Sequence, residues 1–210
     1  MSDTFAQIAS SLVETASGFH FRGWVLGTSG NLSAVLNREP LHLAMSPSGV
    51  DKGALLAEQI LMIDEQARVV SGHSARPSDE SPVHIRIVKE RGAGAVLHTH
   101  SIWSTMLSDL HAGDGGLAIE GYEMLKGLEG VTTHEHSEWL PILENSQDMR
   151  ALADSVADTL RQHKDAHGFL LRRHGLYTWG NDLAQAKRHV EILEFLLEAV
   201  GRANSMTKKQ

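Results

Sequence analysis

Apolar residues recur at helical spacing at the start of the chain and in short runs after it. Phe5, Ile8, Ala9, Leu12, Val13 and Ala16 share one face of a 3.6-residue period, which predicts an amphipathic helix over 3–17 ending near Gly18. Gly27 and Gly30 interrupt that pattern, and NLSAVL (31–36) and LHLAM (41–45) follow as short paired strands. ILMID (60–64) reads as a further strand, while SDESPVHIRIVKERG (78–92) has the acidic start and glycine close of a helix. GAVLHTH (94–100) is apolar enough for a buried strand, SIWSTMLSDL (101–110) for the helix after it, and WLPIL (139–143) for another strand. Residues 147–163 are helical in pattern, and GFLLRRHGLYTWG (168–180) predicts two strands around a glycine turn. The stretch 181–203 reads as a long helix with Leu183, Ala186, Val190, Leu193 and Leu197 along one side.

Strands and helices interleave, and several neighbouring strands are close enough in sequence to form hairpins. That predicts an α/β chain with a mixed or antiparallel sheet under covering helices. A length of 210 residues with 41% hydrophobic content is enough for one substantial core, so residues 1–210 are expected to form a single domain, with no internal repeat or linker.

Charge and cysteine content narrow the chemistry. The net charge of −7, with basic residues scattered ahead of the TKKQ tail, gives no footprint for nucleic acid. There is no cysteine, which rules out disulfides, thiolate metal sites and a cysteine nucleophile; a transition metal would have to use histidine and carboxylate. The opening MSDTFAQIASSLVETA has no basic-then-apolar signal pattern, and no run of about 18 apolar residues occurs. A soluble, cytoplasmic protein with no membrane partner is expected.

The 13 histidines are the remaining signal. An H-x-H pair arises by chance roughly once in such a chain, so context must separate the two that occur. His98 and His100 close a buried strand, where residues i and i+2 share a face and would present two imidazoles side by side. Two imidazoles buried together need partners for their ring nitrogens, and a shared metal ion supplies one. His134 and His136 lie in polar TTHEHSE with Glu135 and Glu138 and read as a solvated loop. His174 also follows an apolar strand and precedes Gly175, and three neutral imidazoles leaving one position open are the donor set of a catalytic zinc site.

The ordered segments GTSGNLS (27–33), SPSG (46–49), RPSDE (76–80), GAVLHTH (94–100), GYEMLKG (121–127) and RRHGLYTWG (172–180) resemble the class II aldolase and adducin superfamily, over about residues 5–203. Within it they are most similar to the methylthioribulose-1-phosphate dehydratases of methionine salvage. The resemblance implies a three-layer α/β/α fold around a largely antiparallel sheet, a homotetramer, and one zinc per subunit on His98, His100 and His174. It also implies that Glu123, in EMLKG, is the catalytic acid/base. Thr28, Ser29, Gly30 and Asn31, with Ser48 and Gly49, fall in the loops where the resemblance puts substrate phosphate, and small residues there suit close backbone approach to an anion. Lys52 and Arg76 are candidate charge partners, and Met124 and Trp103 are candidates for the methylthio end.

A zinc-bound ketose phosphate has an acidified C3 proton, because the cation stabilises the enediolate left behind; a carboxylate could remove that proton and help the C4 hydroxyl leave as water. Glu80 keeps aldol cleavage or epimerisation open, because PSDE is similar to the PSSE segment of sugar-phosphate aldolases, whose glutamate is an acid/base at the metal. Glu80 could equally start the following helix, favoured by its dipole. The aldolases use tyrosines near the chain end, whereas the two tyrosines here are Tyr122 and Tyr177. A third reading is a non-catalytic scaffold like the adducin head.

Overall fold

The computed structural model describes residues 3–70 and 75–207. Five helices and eight strands follow one another as α1 (Asp3–Phe21), β1 (Asn31–Arg38), β2 (Leu41–Met45), β3 (Leu61–Asp64), α2 (Ser81–Arg91), β4 (Ala95–Thr99), α3 (Ile102–Leu110), β5 (Gly116–Glu120), β6 (Ser137–Leu143), α4 (Met149–Gln162), β7 (Gly168–Leu171), β8 (Gly175–Gly180) and α5 (Leu183–Thr207). The strands form one sheet in the order β3-β2-β1-β4-β8-β7-β6-β5, antiparallel throughout except for the parallel pair β6 and β7.

Alternation along the strands divides the core between two helical layers. Val96 and Tyr177 pack with Val83 and Ile87 of α2 and Val156 of α4 on one face. On the other, Leu97 packs with Leu12 of α1 and Val190 of α5, while Leu176 packs with Leu107 of α3 and Leu193 of α5. The result is the expected α/β/α sandwich around a mixed, largely antiparallel sheet.

Three elements differ from the sequence pattern. α1 continues past Gly18 to Phe21, because Phe19 is buried and packs 5.6 Å from the Trp24 ring, while the Cα of Gly18 faces open space. The chain turns only at Gly23, with φ at 78°. β4 stops at Thr99, so His100 lies just beyond the strand, its N–H donated to the Trp24 carbonyl at 2.7 Å. β5 has no counterpart in the sequence reading: GLAIE is a short edge strand, recruited by its antiparallel pairing with β6.

Register brings the chemistry to one end of the sheet. Asn31 at the start of β1 pairs with His98, and His98 pairs with Tyr177 of β8. The loop before β1, the end of β4 and the β7–β8 turn therefore meet.

Candidate metal centre and active-site cavity

His98, His100 and His174 converge through their Nε2 atoms: 2.7 Å between His98 and His100, 3.1 Å between His100 and His174, and 3.3 Å between His98 and His174. Their other ring nitrogens explain the arrangement. His98 Nδ1 donates to the Leu176 carbonyl at 2.9 Å and His174 Nδ1 donates to Asn145 Oδ1 at 3.3 Å, so both rings turn an Nε2 lone pair inward. Lone pairs at such separations repel unless a cation lies between them. His174 is aimed by its turn, in which Arg173 takes a left-handed backbone (φ 55°) with its N–H held by Ser108 Oγ.

The electrostatics favour the metal-binding form. Burial holds the His98 pKa well below its ordinary value, with the neighbouring His174 charge adding to it. Burial, then His98 and His174, push His100 down to about 2, and burial lowers His174. All three are neutral imidazoles at physiological pH, as a metal requires.

Glu80 completes the cluster. It stands at the N-cap position of α2, and its Oε1 lies 3.4 Å from His174 Nε2 and 3.6 Å from His98 Nε2, buried and without a hydrogen bond. Its Oε2 accepts from Asn31 Nδ2 at 2.6 Å. Behind Asn31 stands His84, fully buried, whose Nε2 faces Asn31 Oδ1 and whose Nδ1 accepts from Ser33 Oγ at 2.8 Å. That contact fixes which way the Asn31 amide points, and so aims its NH2 at Glu80. An orphaned carboxylate oxygen beside three convergent nitrogens fits a divalent transition metal. The Glu80 position thus serves both sequence readings, starting α2 and facing the histidines.

A cavity of about 310 Å³ opens on this centre. His100, His174 and Glu80 line it, as do all six residues of the two small-residue loops: Thr28, Ser29, Gly30, Asn31, Ser48 and Gly49. Gly30 has φ at 69°, and a Cβ there would lie 2.6 Å from Val25 Cγ1 and 2.8 Å from the His98 carbonyl oxygen. Lys52 lines the cavity too, buried, donating to the carbonyls of Val50 at 2.9 Å and Thr28 at 3.3 Å. Arg76 is instead exposed and engaged by Asp79, outside the cavity lining.

Glu123 is not brought to the histidines within one chain. It sits on a 3-10 turn (Glu123–Gly127), its side chain 72% exposed, with Lys126 Nζ at 2.7 Å and His134 Nδ1 at 3.8 Å from its oxygens. The hydrogen bond and charge of Lys126 hold its carboxyl below the usual range. Met124 is partly exposed beside it, and Trp103 packs against Gly201 of α5, so neither lines the cavity.

His134 is exposed as expected, but His136 is not a solvated loop residue. Its Nε2 lies 2.9 Å from an oxygen of Glu138, which is buried. The i, i+2 relation of His136 and Glu138 at a strand start was the available signal. Tyr177 was also missed as part of the site: its ring stacks on His98 at 3.8 Å and on Phe169 at 5.0 Å. Burial and the Glu80 carboxylate raise its pKa well above normal, so its phenol keeps its proton.

The chain is similar to known proteins along nearly its whole length. The chain is 40% identical over 196 residues to the methylthioribulose-1-phosphate dehydratase of Sorangium cellulosum (strain So ce56), covering 93% of this chain and 92% of the relative. It is 42% identical over 192 residues to the protein of the same name from Xylella fastidiosa (strain M12), covering 91% and 86%. The fold superposes on an L-fuculose 1-phosphate aldolase with a TM-score of 0.78 at 22% identity, over 98% of this chain and 89% of that one. It superposes on the L-fuculose-1-phosphate aldolase of Thermus Thermophilus with a TM-score of 0.76 at 23% identity, over 97% and 98%. Residues 10–200 match the class II aldolase and adducin N-terminal domain, and the chain belongs to that family.

Proposed function

We propose that this chain is a zinc-dependent hydro-lyase that dehydrates 5-methylthioribulose 1-phosphate to 2,3-diketo-5-methylthiopentyl 1-phosphate, a cytoplasmic step of methionine salvage. One observation carries the reading: this chain's own residues build a three-imidazole centre beside a small-residue cavity, in a chain that relatives of that name match over nine-tenths of its length. A scaffold has no use for three convergent imidazoles.

His98, His100 and His174 would hold the zinc, which stabilises negative charge on the substrate oxygens and so acidifies the C3 proton. Thr28 to Asn31, Ser48 and Gly49 offer hydroxyls and backbone N–H groups to the phosphate, and the buried Lys52 ammonium offsets its charge. A carboxylate then takes the C3 proton and delivers one to the departing C4 hydroxyl. That step is assigned to Glu123; within one chain the carboxylate at the centre is Glu80, held through Oε2 by Asn31 with Oε1 free toward the histidines.

Glu123 reaches the cavity only from a second copy of the chain. Two residues beyond His100, α3 exposes Ile102, Met106 and Leu110 in a row at four-residue spacing, an apolar face for such a copy. That face supports association of copies, and the reading takes the assembly to be a homotetramer in which Glu123 acts as acid/base across the contact.

Glu80 at the metal centre is also the specific observation that favours a second reading, aldol cleavage or epimerisation of a related sugar phosphate. A product assay on zinc-loaded protein separates the two. Wild type, Glu80→Gln and Glu123→Gln are given methylthioribulose 1-phosphate, and water loss and C3–C4 cleavage are both followed by mass. Water loss that falls at least 100-fold in Glu123→Gln, and recovers when that variant exchanges subunits with His174→Ala, supports dehydration across copies. Cleavage fragments dependent on Glu80 alone would move the protein to the aldolases.

A further inference from the structure

A second cluster of metal-ligand side chains lies away from the first centre. β4 and β8 pair with Thr99 opposite Leu176 at the end holding His98 and His174, and with Ala95 opposite Gly180 at the other. Gly180, His136 and His167 line a cavity of about 390 Å³ at that far end.

Glu138 is its core. The carboxylate is 1% exposed and has no Lys or Arg partner among the described residues. Its Oε1 accepts the backbone N–H of His167 at 2.9 Å. Its Oε2 lies 2.9 Å from both His136 Nε2 and His167 Nδ1. The far side of the His167 ring decides what this means. His167 Nε2 donates to the Glu129 carbonyl at 2.8 Å, so a neutral ring turns its Nδ1 lone pair toward a carboxylate oxygen. A neutral ring would set that lone pair against the carboxylate, so the contact calls for a cation: a proton on His167, whose pKa is raised, against the effect of burial, by Glu138, or a metal ion shared by the three side chains. A carbonyl behind one ring nitrogen and a cation before the other is the way proteins orient histidine ligands.

We propose that His136, Glu138 and His167 form a second binding site for a first-row divalent metal, of which zinc is the type. Two imidazoles and one carboxylate select such an ion over calcium or magnesium, which prefer oxygen donors. The three ligand atoms lie within 4.8 Å of one another, close enough to share one ion. The neighbouring His189 is not a ligand, because Nδ1 donates to the Trp179 carbonyl and Nε2 accepts the Glu129 N–H. The ion would tie the start of β6 to the start of β7. Through His167 and the Glu129 carbonyl it would also anchor the segment that follows the Glu123 turn.

The test counts ions and needs no turnover. Metal-stripped full-length protein is dialysed against zinc and analysed for bound metal, and cobalt is used in parallel for its absorption spectrum. Wild type is expected to hold two ions per chain. The double variant His98→Ala/His174→Ala is expected to hold one, and adding His136→Ala to it should remove that one. His136 is chosen because its side chain is 28% exposed, so its truncation leaves the buried Glu138 and the fold in place, which circular dichroism verifies. In an otherwise unaltered chain, His136→Ala alone should lower the count from two to one. A wild-type count of one that His136→Ala leaves unchanged would overturn the proposal and leave a proton, on an imidazolium His167, as the cation facing Glu138.

Discussion

Thr99 donates its hydroxyl to the buried carboxylate of Glu194, on the face of β4 opposite His98. The residue between two convergent histidines is thereby tied to α5, and the backbone that carries both rings is fixed from behind.

Glu194 should make stability fall with rising pH. Burial is the main cause that raises its pKa from 4.5 to about 7, against the hydrogen bonds from Ser101 and Thr99, and Glu198 adds to the rise. Because the folded carboxyl keeps its proton more tightly than the unfolded one, its contribution is full below 4.5 and is lost as pH rises through about 7. At about 1.4 kcal/mol per pH unit, that window corresponds to a loss on the order of 3 kcal/mol. Glu194→Gln, which has no charge to bury and still accepts from Thr99, should remove this slope. Urea unfolding of both proteins at pH 5 and pH 8 measures it, and equal slopes in the two proteins would refute the assignment.

Much of this was legible in the sequence because it rests on local periodicity. The short apolar segments NLSAVL, LHLAM and GAVLHTH set the strands, and His98, His100 and His174 are placed by strand ends that the pattern locates. What escaped depends on contacts between distant segments. Phe19 carries α1 past Gly18 by packing on Trp24, and β5 exists because β6 offers it an edge. Glu138 looks solvated in a polar stretch until β7 brings His167 against it. Glu123 is the sharpest case, since nothing in EMLKG shows that its carboxylate folds away from the three histidines of its own chain.

His84 should act on stability at the acid end. Burial holds its pKa down at about 4, against a small opposing effect of Glu80, while an unfolded histidine titrates near 6.5. The folded state therefore resists protonation, so the contribution is intact above 6.5 and is lost as pH falls from 6.5 through 4. Its full extent is again on the order of 3 kcal/mol. His84→Asn, uncharged throughout, should flatten this part of the acid-unfolding curve followed by circular dichroism, although it lowers stability at pH 7 by disturbing the Ser33 and Asn31 contacts.

Gly175→Ala should weaken metal binding, not only the fold. A Cβ there would lie 1.9 Å from the Thr99 carbonyl oxygen and 3.2 Å from His98 Cε1, so β8 must move away from β4 between two of the histidines. Gly180→Ala at the other end of β8 is the control, because its Cβ would lie 2.4 Å from the Ala186 nitrogen, remote from the first centre. Both variants should lose roughly 1–3 kcal/mol of stability. Gly175→Ala alone should lower affinity at the first centre by about 10–100-fold in chelator competition. Equal effects of the two variants on metal affinity would show that Gly175 has no special part in placing His98.

Lys52 should read the substrate's phosphate. Lys52 is 1% exposed and makes no ion pair among the described residues; burial lowers its pKa, and Asp51 opposes this only in part. A buried cation held by two carbonyls beside the Ser48 and Gly49 loop lacks an anion, and a phosphate in the cavity supplies it. Lys52→Met keeps the length and apolar stem of the side chain while removing the charge. A charged hydrogen bond of about 1.5–3 kcal/mol corresponds to a rise in KM of roughly 10–150-fold, with kcat changed far less. Inorganic phosphate gives a readout independent of turnover: it should raise the Tm of the wild type and leave that of Lys52→Met unmoved. If the variant keeps its KM and its phosphate-induced Tm shift, Lys52 acts only on the two carbonyls, and the phosphate must be held by the backbone of the 28–31 and 48–49 loops without it.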